Sequence, residues 1–222
     1  MKKFLLITSV FLLVLGIAAG ASANVITNGD FETGDLTGWT YGGNVGVVDL
    51  NDGTLSGAIL DFIADIQGME DNFALFGDGT SEGLGYIYQG ISVSGVSQIE
   101  ISFDYAFDFF DWANSKDDTF VSLIGGPGWS WSASLLELVS GDLPNFLGFG
   151  VAYGHFSETF DVTGFDGELG FYLLEDASCL TNSLAGIDNV NVKGVPEPAS
   201  MLLLGFGLLG LVGIGRKKIF KK

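Results

Sequence analysis

Carboxylates are the most numerous reactive groups in this chain, yet their spacing singles out no site. Asp104, Asp108, Asp111, Asp117 and Asp118 crowd one short stretch. Such acids can hold a hard cation or act as an acid–base pair. The stretch lacks the Gly hinge and terminal Glu of an EF-hand loop, which makes a solvated acidic edge the plainer expectation. Aromatic rings come next. Trp129 and Trp131 flank Ser130 after a Gly-Gly-Pro-Gly turn, and Tyr86 and Tyr88 flank Ile87. In a strand each pair would show both rings to one side, there to stack on a sugar ring or to fill a core. Core filling is expected for Tyr86, Tyr88 and Trp39, whereas Trp129 and Trp131 are ligand candidates as much as core ones. His155 is the single histidine, and no nucleophile-elbow motif is present. The chain therefore reads as non-catalytic. Cys179 is the single cysteine, so no internal disulfide forms, and a buried thiol is expected.

The elements that position these groups read as strands. From Gln98 to Asp108, Ile99, Ile101, Phe103, Tyr105 and Phe107 alternate with Glu100, Ser102, Asp104, Ala106 and Asp108, which is period two with one face buried. Further strands are expected at 44–49, 58–63, 72–76, 85–93, 119–124, 155–162, 168–174 and 184–192. Turn chemistry at Asn51-Asp52-Gly53, Gly77-Asp78-Gly79, Gly125-Gly126-Pro127-Gly128 and Asp166-Gly167 separates them. Thr163 to Gly167 should be a tight hairpin or loop, and Ser134 to Leu143 a helical turn or an edge strand. The fold expected is all-β, an antiparallel β-sandwich of jelly-roll type.

The two ends read differently from this middle. Residues 1–23 have the parts of a signal peptide: Lys2 and Lys3, an apolar run from Phe4 to Ala19, and the small-residue site Ala21-Ser22-Ala23. Cleavage is expected between Ala23 and Asn24. At the other end Val195-Pro196-Glu197-Pro198 precedes 17 residues without a charge, 199–215, closed by Arg216-Lys217-Lys218. As a helix that run is about 25 Å long, against a hydrocarbon core of about 30 Å, and flanking Lys and Arg side chains make up the difference. The basic cluster places residues 24–198 on the far side of the membrane from the cytoplasm. Both prolines stiffen the motif into an extended peptide. The domain between the ends is 24–194; together with the motif through Pro198 it carries all 27 acidic residues, Glu197 among them, and only Lys116 and Lys193 as cations, for a formal charge of −25. That charge excludes nucleic acid as a partner. Phe, Ile, Leu and Val are frequent enough for a core.

Residues 195–222 resemble the PEP-CTERM sorting signal of exported bacterial proteins. The resemblance implies recognition of Pro196-Glu197-Pro198 by a membrane-embedded exosortase, a transmembrane helix at 199–215, and passage from the inner membrane to the cell surface or extracellular matrix. Asn28-Gly29-Asp30-Phe31-Glu32 followed by Gly38-Trp39, with Ala185-Gly186-Ile187-Asp188-Asn189-Val190-Asn191-Val192 near the far end, resembles the opening and closing strands of galactose-binding-like jelly rolls, several carbohydrate-binding modules among them. Ile187 is out of phase with Val190 and Val192, which predicts a bulge at Asp188-Asn189. The resemblance implies that Glu32 and Asp188 help bind a structural calcium; the alternative is that Asp188 caps the bulge and Glu32 is solvated. Taken together, the expectation is an exported, non-enzymatic surface or matrix protein that associates with extracellular polysaccharide. The alternatives are a calcium-stabilised adhesion or protein-interaction module and, behind it, a glycoside hydrolase.

Overall fold

A computed structural model describes residues 24–52, 62, 69, 71–77, 83–110, 118–143, 149–162, 164–175 and 183–195. Among the described residues, ten strands make two antiparallel sheets of five. Sheet one joins β1 (Thr40–Gly42), β4 (Leu84–Val93), β9 (Phe165–Leu174), β6 (Thr119–Gly125) and β7 (Ser132–Val139), in that order. Sheet two joins β2 (Val45–Asp49), β3 (Asn72–Phe76), β10 (Leu184–Val195), β5 (Gln98–Phe110) and β8 (Phe149–Asp161). This is the two-sheet sandwich that the alternating sequence predicts.

The core lies between the sheets and is built on phenylalanine. Phe103 of β5 stacks on Phe156 of β8 at 4.8 Å and meets Phe171 of β9 edge-on at 4.9 Å. Rings packed in these geometries add cohesion beyond the area they bury. A second apolar cluster holds Val48, Phe62, Phe73, Leu75, Ala106 and Leu184.

The opening motif is explained by what it packs. Phe31 and Trp39 are buried and stack at 5.7 Å, and the Trp39 indole N–H donates to the Asn28 carbonyl at 2.9 Å. Asn28, at φ 52°, ties the loop shut by donating to the carbonyls of Asp35 and Thr37. The segment before it bridges both sheets. Asn24 accepts from the Val192 N–H at 2.9 Å and donates to the Val190 carbonyl at 3.2 Å, while Thr27 exchanges two hydrogen bonds with the buried Gln89 side chain of β4.

Several expectations need correction. Phe62 has helical backbone, so the strand expected at 58–63 fails there. Ser132–Val139 is an edge strand and Ser140–Asp142 a 3-10 turn, so both readings of that stretch apply in turn. Phe165, Asp166 and Gly167 belong to β9, and the chain crosses there from sheet two to sheet one instead of forming a hairpin. Val195, read as linker, is the last residue of β10 and pairs with Gln98. The bulge is where the phase slip predicts it: the β10–β5 register shifts between Asp188 and Asn191. Residues 1–23, Cys179 and residues 196–222 lie outside the described residues. Among the described residues no helix is long and apolar enough to cross a membrane.

Candidate functional site

Sheet one sends its even-numbered β4 and β9 side chains outward, and four aromatic rings meet on that face. Tyr86 and Tyr88 alternate with the buried Gly85, Ile87 and Gln89. Tyr172 lies opposite Tyr86 in the β4–β9 register. Tyr86 stacks on Tyr172 at 6.1 Å and on Tyr88 at 6.4 Å. Trp129 closes the group edge-on, 6.0 Å from Tyr88 and 5.9 Å from Tyr172. All four are half-buried, so each keeps ring surface open to solvent.

Glycines shape the floor. At Gly170 a Cβ would come within 2.9 Å of the Tyr172 ring and 3.0 Å of Trp129. Real Cβ atoms essentially never approach so closely, so this position must lack a side chain for the rings to settle. Gly42 of β1 sits beneath the Tyr86 ring in the same way.

The electrostatics of the face are one-sided. Glu168, two residues before Gly170, lies between Gly90 and Gly125 in the registers of β4 and β6. One of its carboxylate oxygens is buried with no hydrogen-bond partner among the described residues. Burial pushes the Tyr172 hydroxyl up to about 12, with the Glu168 charge and then Tyr88 and Tyr86 adding to the effect. Lys193, the one described cation, is on the other sheet, in an ion pair with Glu100 at 2.7 Å. The face therefore combines flat apolar rings, phenol hydroxyls and one carboxylate, with no positive charge among the described residues.

Sequence reasoning finds part of this. Trp129 belongs to the face. Trp131 does not: its ring meets Phe165 edge-on at 6.4 Å and is 52% exposed. The two tryptophans separate because Trp129 ends a 3-10 turn, with Gly128 at φ 62° and Trp129 at φ 56°, and so has no strand alternation to share with Trp131. Tyr86 and Tyr88, expected in the core, face outward. Trp39 is core, at 6% exposed.

The acidic residues scatter. Asp104 accepts from Asn189 at 2.9 Å and pairs with His155 at 2.6 Å, on the outer face of sheet two. His155 stands directly across from it in the register, a strand residue as expected. Asp118 is buried and accepts from Ser183 at 2.6 Å, so it is not part of a solvated edge. Asp111 and Asp117 lie outside the described residues.

Glu32 and Asp188 sit around one corner. Glu32 takes hydrogen bonds from the Asn72 backbone N–H at 3.3 Å and its amide at 3.2 Å. Asp188, 1% exposed, accepts from the Asn189 N–H at 2.6 Å. The 28–32 loop reaches the bulge through the Gly29 carbonyl, which accepts from the Val190 N–H at 2.8 Å. Among the described residues no three His, Cys, Asp or Glu side chains gather as a metal-holding group. An ion here would need loop carbonyls besides these two carboxylates, an all-oxygen donor set of the kind calcium takes.

Residues 194–217 match the PEP-CTERM protein-sorting motif. No curated protein matches the chain. Among solved structures it is similar to the K1 cleaved adhesin domain of Lys-gingipain from Porphyromonas gingivalis, at 12% identity and TM-score 0.45 over 75% of this chain and 96% of that one. It is similar to a carbohydrate-binding module specific for non-crystalline cellulose, at 12% identity and TM-score 0.43 over 78% and 97%. It is also similar to the enzymatically active domain of bacteriophage CBA120 tailspike protein 4, at 13% identity and TM-score 0.42 over 78% of this chain; this chain spans 21% of that one.

Proposed function

From a chain that carries the PEP-CTERM protein-sorting motif at residues 194–217, we infer an exported surface or matrix protein whose sandwich associates with extracellular polysaccharide without cleaving it. An exosortase-type enzyme acts on Pro196-Glu197-Pro198, the 199–215 run holds the protein in the inner membrane in transit, and the folded domain is delivered outside. The observation that carries the binding half is the outward group of Tyr86, Tyr88, Tyr172 and Trp129. Sugar rings present flat patches of C–H that stack on aromatic faces, and their hydroxyls suit phenols and a carboxylate. With Glu168 beside it and no cation on it among the described residues, the face favours neutral glycans over uronic-acid or sulfated ones. Calcium between the 28–32 loop and the β10 bulge, with Glu32 and Asp188 as ligands, belongs to the same proposal as a structural ion.

Co-sedimentation with insoluble neutral polysaccharide tests this reading. Trp129→Ala removes one stacking surface, worth about 1 kcal/mol, and should weaken binding roughly fivefold. Trp131→Ala should leave binding unchanged. Absence of binding to every neutral glycan tried, or equal loss in both variants, defeats the assignment of this face.

A further inference from the structure

We propose that the end of the sandwich from which the sorting tail leaves is a membrane-docking face: with the tail in the bilayer, this end rests in a zwitterionic headgroup layer and the Trp131 ring lies at the interface. The proposal rests on reading 199–215 as a membrane segment, and it adds where the folded domain sits.

Tether length comes first. β10 stays paired through Val195, and the apolar run begins at Ala199. Only Pro196, Glu197 and Pro198 lie between them. An extended chain advances about 3.3–3.6 Å per residue, so the sheet can stand no more than about 14 Å above the hydrocarbon boundary. The headgroup layer fills about 5–8 Å of that. The domain has no room to tumble free of the surface.

Chain direction agrees. Val25 donates to the Val192 carbonyl at 2.9 Å, so the chain enters the domain beside the same stretch of β10 by which it leaves. The segment that follows the expected cleavage site and the C-terminal tail are therefore at one end of the sandwich.

Charge is uneven at the tail end. Its connections 94–97 between β4 and β5, 126–131 between β6 and β7, and 162–164 between β8 and β9 contain no charged residue, whereas 50–71, which joins the tail-side ends of β2 and β3, carries five acids. The connections at the opposite end carry two acids in 77–83, three in 111–118, one in 140–148 and two in 175–183. In so acidic a domain, the corner made by the three uncharged connections is the part a lipid surface can approach most readily. Trp131 supplies the anchor, since tryptophan partitions to the membrane–water interface. The exposed acids Asp161 and Asp166 stand at the tail-side ends of β8 and β9, which favours zwitterionic over anionic lipid.

The test uses the full chain in phosphatidylcholine vesicles whose lipids are brominated high on the acyl chains. Tryptophan emission should be quenched, the quenched part should disappear in Trp131→Phe, and it should persist in Trp129→Phe. A protein that floats with the vesicles but shows unquenched Trp131 overturns the docking face and leaves the membrane reading standing. A protein that fails to float overturns the membrane reading, and docking with it.

Discussion

Tyr172 is the residue on which the environment of the aromatic face can be measured directly. Its hydroxyl is held up to about 12 by burial first and by Glu168 second, from an ordinary value of 10.0. The unfolded chain ionises first, so the neutral phenol's contribution to stability is intact below pH 10.0 and is lost as pH rises toward about 12. A tyrosinate absorbance titration should show one late step that Tyr172→Phe removes. Glu168→Gln should bring that step down only partway, because burial is the larger cause; a step that does not move refutes the coupling. The same residues show what sequence can and cannot convey. In β4 both phases are mixed, Tyr86 and Tyr88 on one side and Ile87 and Gln89 on the other. A buried glutamine is hard to foresee, because what satisfies it is the Thr27 backbone 62 residues away. Once Gln89 faces in, the tyrosines must face out.

At the scale of elements, β10 organises the molecule. Its phase slip was legible because Ile187 is out of step with Val190 and Val192, and the strand 72–76 was legible because a short apolar run ends at the Gly77-Asp78-Gly79 turn. β1 was not, since three residues give no period to read. The end of β10 was missed for another reason: Pro196 forbids further pairing but places no constraint on Val195 beyond an extended backbone, which a sheet also accepts. The bulge brings Asp188 and Asn189 next to the loop that carries Glu32. If calcium is shared there, it binds the folded state alone and stabilises it. Chelator should then lower the melting temperature of the protein, and restoring calcium but not magnesium should return it, because magnesium demands a stricter octahedron. A melt indifferent to chelator removes the ion from the proposal.

For the whole molecule, the aromatic face proposed to bind glycan and the tail end are different surfaces. The four rings lie on the outer side of sheet one, whereas Val195 ends a strand of sheet two. Binding to neutral polysaccharide should therefore be equal for full chain in vesicles and full chain in detergent, measured by co-sedimentation. A large loss in vesicles would mean that the lipid covers the rings. The sorting motif at residues 194–217 was the most legible part of the sequence, because a proline motif followed by an apolar run and flanking charges is a local signal. The separation of the two surfaces was not legible, because it depends on which strand ends meet.

The pairing of Val195 with Gln98 also limits the tool that can work on this tail. With 199–215 in the bilayer as proposed, an enzyme gripping Pro196 to Pro198 would have a folded wall on one flank and lipid on the other, with at most about 14 Å between the sheet and the hydrocarbon. Its reactive groups must lie near its rim, because a long tunnel would collide with the sandwich before the peptide reached bottom. A deeper-seated enzyme would first have to peel the last residues of β10 from their neighbour, and cutting would then run at the pace of that unzipping.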